Sequence, residues 1–257
     1  MEILQIPAFT DNYFWILYSE ENRKATVIDP GDSKPIINAL SENNLDLSNI
    51  LITHHHADHI GGVNDLIKEY PEVEVFGPSD DRIPKTKIVN DKDNLYLENI
   101  KTHFQVLDVA GHTKSHIAYY TEEKLFCGDT LFSCGCGRLF EGTPKQMHKA
   151  LSKIMRLPNE TLVYCAHEYT LDNIGFAKLV EPGNEDLLNR EKEVTKLIEQ
   201  NKFSIPCLLG VEKKTNPFLR FDYPSVKSSV ENHYNIKIDN ATDVFMYTRK
   251  WKDEEYD

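Results

Sequence analysis

Thr53-His54-His55-His56-Ala57-Asp58-His59 decides how this chain is read. Within it lies H-x-H-x-D-H: His54, His56, Asp58 and His59 place three imidazoles and a carboxylate within six residues. Just upstream, Asn49-Ile50-Leu51-Ile52-Thr53 is an apolar run between polar flanks, the pattern of a buried strand. Downstream, Ile60-Gly61-Gly62-Val63 leads into a helical pattern over residues 64–70. The polar cluster therefore sits on a strand-to-helix turn, where α/β domains keep their chemistry. His54 and His56 are two apart, so in extended backbone they share a side. Asp58 and His59 lie where the chain turns into the helix and address a second point nearby. His55 points away from its neighbours and reads as an ordinary polar loop residue. Three imidazoles and a carboxylate grouped after an apolar strand gain nothing from packing and cost stability unless something binds them. One short loop thus carries ligands enough to begin two metal sites.

Working outward, residues 2–6, 13–18 and 25–29 read as a β-meander. Pro30-Gly31-Asp32 is a turn, residues 34–43 a helix and 72–77 another strand, while 78–93 are polar and irregular. Strands follow at 102–109, 116–120, 125–127 and 161–165. A helix over 144–157 has apolar positions at Met147, Leu151, Ile154 and Met155. Three of the strands each deliver a candidate ligand just beyond their ends: His112, Asp129 and His167. The seven candidates divide naturally. His54, His56 and His112 would fill one site, Asp58, His59 and His167 a second, with Asp129 bridging both. Nitrogen and oxygen donors suit Zn(II), Fe(II) or Mn(II), zinc in first place, and not a metal that demands thiolates. Two ions ~3.5–4 Å apart can share a bridging hydroxide whose pKa lies far below that of bulk water. No Ser or Cys nucleophile is then required.

Beyond residue 170 the pattern becomes helical, at 171–180, 184–200, 224–234 and 241–252, with Glu181-Pro182-Gly183 separating the first two. This predicts an α/β domain over 1–169 and a helical domain over 170–257. The chain has 257 residues, is 40% hydrophobic and carries a net charge of -12. That acidity disfavours a nucleic-acid partner. No apolar run approaches the ~20 residues needed to span a bilayer, and the N-terminus lacks a signal-peptide pattern. The five cysteines (Cys127, Cys134, Cys136, Cys165, Cys207) form no disulfide framework, which fits a reducing cytoplasm. There is no G-x-S-x-G elbow and no phosphate loop, and Gly135-Cys136-Gly137 lacks the third glycine of a dinucleotide fingerprint. Arg249, Lys250 and Lys252 form a basic cluster in an acidic protein. It reads equally as an anion clamp or as a helix end whose cations favour the dipole.

The H-x-H-x-D-H run, with Gly111-His112-Thr113, Gly128-Asp129-Thr130 and His167, resembles the metallo-β-lactamase superfamily. That resemblance implies an α/β fold, an αββα sandwich, with a dinuclear site at the sheet edge. Narrower likenesses run through Gly135-Cys136-Gly137-Arg138-Leu139-Phe140-Glu141-Gly142-Thr143, His167-Glu168-Tyr169-Thr170, Val180-Glu181-Pro182-Gly183-Asn184, Asn216-Pro217-Phe218-Leu219-Arg220 and Arg249-Lys250-Trp251-Lys252-Asp253. These resemble the glyoxalase II (hydroxyacylglutathione hydrolase) family over essentially the whole chain, including a small C-terminal α-helical domain. What the family implies is hydrolysis of S-D-lactoylglutathione by a hydroxide bridging two divalent metal ions. The seven candidates are then the ligands, no other catalytic residue is needed, and the enzyme is expected to be a cytoplasmic monomer. Glutathione recognition carries over to Arg138, Phe140, Tyr169, Arg249 and Lys252. Phe140 departs from members with Tyr there, and supplies no hydroxyl. The rival within the superfamily is a mononuclear-iron glutathione-persulfide dioxygenase or another hydrolase, disfavoured by the second ligand set.

Overall fold

Three β-rich N-terminal runs pair as expected: β1 (Glu2–Ala8), β2 (Asn12–Tyr18) and β3 (Lys24–Ile28) form an antiparallel meander. The computed structural model describes residues 1–84 and 87–256; positions 85 and 86 of the irregular 78–93 stretch lie outside the described residues. The chain divides into two compact units, Met1–Asp108 with Ser115–Gly128, and Val109–Lys114 with Asp129–Asp257.

In the first unit β3 runs parallel to β4 (Asp46–Leu51), which runs parallel to β5 (Glu74–Gly77) and so to β6 (Lys87–Ile88). Parallel neighbours require crossovers, supplied by α1 (Ser33–Glu42) between β3 and β4 and by α2 (Ala57–Ile60) and α3 (Val63–Glu69) between β4 and β5. The side chain of Asp32 caps α1 by accepting from the Lys34 amide. Ile36 and Leu40 of α1 and Leu66 of α3 pack with Val27, Ile50 and Val75 of the sheet in one buried cluster. This burial removes apolar surface from water on the helix faces and strands together, which is what holds the β4 end in place. The same unit carries an antiparallel set, β7 (Asn94–Leu97), β8 (Thr102–Asp108), β9 (Ile117–Thr121) and β10 (Lys124–Gly128). β4 ends at Leu51, so Thr53 belongs to the ligand loop and not to the strand. Its carbonyl accepts from the Ile117 amide at 3.0 Å, which fixes the start of that loop.

The second unit contains the hairpin β11 (Leu131–Phe132)–β12 (Gly135–Cys136), α4 (Pro144–Ile154) and the antiparallel pair β13 (Leu162–Cys165)–β14 (Cys207–Leu208). Its remaining helices are α5 (Thr170–Val180), α6 (Glu185–Glu199), α7 (Leu209–Thr215), α8 (Pro224–Tyr234) and α9 (Ala241–Glu255). Thr143 and Gln146 close a capping box over α4, with Pro144 at its first turn. The short hairpin and α7 escape sequence periodicity because neither is long enough to show a repeat.

The hairpin is held by a buried carboxylate. Glu212 of α7 is 0% exposed. It accepts from Ser133 Oγ (3.0 Å), the Cys134 amide (2.7 Å) and Asn216 Nδ2 (3.0 Å). Asn216 Nδ2 also donates to the carbonyls of Phe132 and Gly135. Burial pushes the Glu212 pKa up, against the opposing pull of its backbone and amide donors. A carboxyl with a raised folded pKa keeps a proton that the unfolded chain releases near pH 4.3, so its contribution to stability declines as pH climbs from there toward the folded value. Glu212→Gln can accept from the same two N–H groups and donate to Ser133. The variant is therefore expected to gain stability relative to wild type as pH rises from about 4 to 8. Urea midpoints of the two proteins over that range test this; a constant gap between them would contradict it.

Candidate metal centre

In the first unit the ligand loop is ordered by Asp29, one residue past the end of β3 and 3% exposed. It accepts from the Thr53 amide (Oδ1, 2.7 Å) and from the Thr53 hydroxyl (Oδ2, 2.6 Å), and its Oδ2 lies 3.0 Å from His59 Nδ1. A carboxylate only accepts, so His59 carries its proton on Nδ1 and keeps the Nε2 lone pair for a metal. The Thr53 hydroxyl, having donated to Asp29, accepts from His54 Nδ1 at 3.0 Å, which sets the same tautomer on His54. The ring of His54 lies 4.7 Å from that of His56 and 4.0 Å from that of His59, centroid to centroid. Asp29, His54 and His59 bring ligand-type atoms within 4.8 Å of one another. Because Asp29 is on the Nδ1 side, its place is behind the ligands, orienting them. His59 Nε2 faces Asp58 Oδ2 at 3.4 Å, and Asn12 Nδ2 donates to the same oxygen at 3.0 Å. A side chain at Gly31 would put its Cβ 1.9 Å from the Asp58 carbonyl oxygen, so only glycine lets the chain pass there.

His55 stands apart, its Nδ1 3.5 Å from Asp80 Oδ2. The Arg82 guanidinium holds the Asp80 carboxyl well below the usual carboxylate range, helped by the Ser115 hydroxyl. His116, which no ligand-type spacing marks, stacks on His54 at 4.4 Å with a 16° interplanar angle and bonds through Nδ1 to its neighbour's carbonyl, that of Ile117.

The second unit gathers the other three candidates. His112 Nε2 faces Asp129 Oδ2 at 3.5 Å, and His167 Nε2 faces Asp129 Oδ1 at 3.4 Å. His112 Nδ1 donates to the Arg138 carbonyl at 2.8 Å, so its Nε2 again carries the lone pair. His167 stacks on Tyr169 at 4.8 Å, and Phe132 packs edge-on against both rings. Gly137 is required for the same reason as Gly31: a Cβ there would lie 2.0 Å from the Asp129 carbonyl oxygen and 2.9 Å from His112 Nδ1. Beside these ligands opens a cavity of about 560 Å³ whose walls include Arg138, Phe140, Tyr169, Arg249 and Lys252. Phe140 is 64% exposed, with its ring edge-on to His112 at 5.3 Å.

Each unit thus repeats one arrangement, an imidazole Nε2 set against a carboxylate oxygen about 3.4–3.5 Å away, and on His59 and His112 that nitrogen carries the lone pair. Two acceptors facing each other in buried surroundings repel unless a cation or an added proton lies between them. The N/O donors, with the Asp29 carboxylate behind His59 Nδ1 and the Arg138 carbonyl behind His112 Nδ1, fit divalent metal ions.

A family model described as "Metallo-beta-lactamase superfamily" matches residues 10–167, and one described as "Hydroxyacylglutathione hydrolase C-terminus" matches residues 168–255. Among solved structures, the BLEG-1 B3 metallo-beta-lactamase superposes with a TM-score of 0.63 at 23% identity, over 85% of this chain and 99% of that one. The fold is therefore the metallo-β-lactamase αββα sandwich, followed by a C-terminal helical domain. Hydroxyacylglutathione hydrolase from Aliivibrio salmonicida is 50% identical over 98% of this chain and 98% of its own length. The one from Vibrio campbellii is 50% identical over 99% of both. This chain belongs to the hydroxyacylglutathione hydrolase family, and it is a hydrolase. Among the described residues no helix is long and apolar enough to cross a membrane.

Proposed function

We propose that this protein hydrolyses S-D-lactoylglutathione to D-lactate and glutathione, the thioester-cleaving step of methylglyoxal detoxification. The observation that carries the reading is the paired Nε2–carboxylate geometry in a chain that matches glutathione-thioester hydrolases along its whole length. On this reading His54, His56 and His112 would hold one ion and Asp58, His59 and His167 a second, with Asp129 as the ligand shared between them. Zinc is the first choice, with iron or manganese as alternatives. Divalent cations held there would supply an activated water at neutral pH and Lewis acidity toward the thioester carbonyl.

The rest of the work falls to the chain's own side chains. Asp29 and the Arg138 carbonyl keep protons on the outer nitrogens of His59 and His112, so the inner nitrogens stay available. Asn12 holds Asp58 to one orientation. Arg138, Tyr169, Arg249 and Lys252 bind the glutathione portion, and Phe140 offers it an apolar edge. Orientation of this remote portion lowers the barrier by presenting the carbonyl in reactive geometry. The leaving group is a thiolate whose parent thiol has a pKa of about 8.5, so it departs without a strong general acid. None is assigned. Residues 1–169 then form the catalytic domain and 170–257 the substrate-binding domain. The five buried free thiols suit a reducing cytoplasm, and the enzyme is read as a monomer.

Two measurements test this. Purified protein should consume S-D-lactoylglutathione in a spectrophotometric assay, and no turnover by fully metal-loaded protein would sink the assignment. Dialysis against a chelator should abolish that activity, and stoichiometric divalent metal should restore it, with two equivalents needed for full recovery. Undiminished activity in protein shown to be metal-free would exclude the metal chemistry.

A further inference from the structure

Arg249 is a wall residue of the cavity, yet only 2% of it is exposed, and its donors are engaged by the protein itself. Its Nε and Nη2 both donate to Asp253 Oδ1, at 3.1 and 2.9 Å, and its Nη1 donates to the Cys136 carbonyl at 3.0 Å. Its guanidinium also lies 5.0 Å from the centre of the Phe218 ring. Asp253 reaches a second cation as well, with Arg138 Nε 3.8 Å from the same oxygen. The Asp253 side chain is 34% exposed, one turn along α9 from Arg249 and two residues short of that helix's end at Glu255. A third of this side chain is already in solvent, so its carboxylate can leave Arg249 by a side-chain rotation without unfolding the helix. Lys252, the other buried cation of the wall, has its own carboxylate, Asp172, at 3.5 Å.

A carboxylate on the substrate can take the Nε/Nη2 edge of Arg249 only where Asp253 now stands. We propose that Asp253 is a built-in competitor: it occupies the anion position on Arg249 and Arg138, and the glutathione portion of the substrate binds by displacing it. This rests on the thioester-hydrolase reading above and adds a specificity-determining residue to it. The physical logic is that the product glutathione keeps every carboxylate of the substrate. Tight binding of that shared portion would hold the product as firmly as the substrate, without accelerating the chemical step. An internal carboxylate weakens both equally, and it keeps the guanidinium aligned and paired while the cavity is empty.

The test is Asp253→Asn, which keeps the volume and removes the charge. Its KM for S-D-lactoylglutathione and its inhibition constant for free glutathione should fall together, each by about three- to tenfold, the range of a partly exposed charge-assisted pair. Asp253→Glu, restoring the charge, should return both toward wild type. Calorimetric titration of each variant with glutathione alone reads the same change without turnover. A rise in either constant, or a change smaller than twofold with the melting temperature preserved, would overturn the competitor role and leave Asp253 as a support for Arg249. If wild type neither turns over the thioester nor binds glutathione, it is the functional assignment that fails. If wild type does both and Asp253→Asn matches it, only this inference fails.

Discussion

Asp129→Ala is expected to lower kcat/KM for a glutathione thioester by about a thousandfold or more, and to leave purified protein with less than its full metal complement. Loss of metal-centred charge stabilisation removes several kcal/mol from the transition state, and each 1.36 kcal/mol is about a factor of ten. Asp129 is 6% exposed and sets one oxygen against each of two imidazoles, His112 and His167. Alanine leaves both imidazoles without their shared anionic partner, and a dication held between them would lose its local charge balance. Asp129→Asn separates the two contributions. It keeps one carbonyl oxygen but turns an N–H toward one imidazole, so metal should be partly retained with activity still lost. Metal content by elemental analysis and turnover on the same samples check both variants. Full activity in Asp129→Ala, with normal metal content, would remove Asp129 from the centre.

That residue was legible in the sequence because it follows a short apolar strand at a Gly-Asp-Thr turn, as His112 and His167 follow theirs. Each announces itself by a polar, ligand-type side chain at the point where an apolar run stops. Asp29 carries the same signal in Val27-Ile28-Asp29-Pro30-Gly31. In the sequence it reads as the last residue of the strand over 25–29, and a lone carboxylate at a strand end before Pro-Gly has an adequate local explanation. Asn12 and His116 are harder, since their partners Asp58 and His54 lie 46 and 62 positions away and only the folded chain brings them together. The basic cluster at the C-terminus marks a third limit. Sequence shows the cations Arg249 and Lys252, but not that Asp253 and Asp172 lie against them. Charge runs reveal composition, whereas pairing depends on rotamers and helix phase.

The second large effect belongs to Asp29, and two substitutions there should separate orientation from stability. Asp29 has φ 50°, a left-handed conformation that Asn tolerates and Ala does not favour. It also satisfies three buried donors: the amide and hydroxyl of Thr53 and Nδ1 of His59. Asp29→Ala orphans all three, at about 1–3 kcal/mol for each donor that finds no water, and adds the backbone penalty. A loss of about 4 kcal/mol in unfolding free energy is expected. Asp29→Asn keeps the backbone and one acceptor, so its stability should fall by only about 1–2 kcal/mol. Its amide N–H, however, now points where Oδ2 accepted, and His59 meets a donor with its own Nδ1–H. Moving that proton to Nε2 relieves the clash and occupies the lone pair that would bind metal. Asp29→Asn should therefore lose about 10- to 100-fold in metal affinity, the usual effect of altering a residue that orients a ligand, while remaining well folded. Melts should be run on metal-free protein, because bound metal itself stabilises the native state. Metal content after equilibrium dialysis then gives the second axis. If Asp29→Asn retains wild-type affinity while Asp29→Ala unfolds, Asp29 serves only to tie β3 to the ligand loop, and the tautomer of His59 is set by something else.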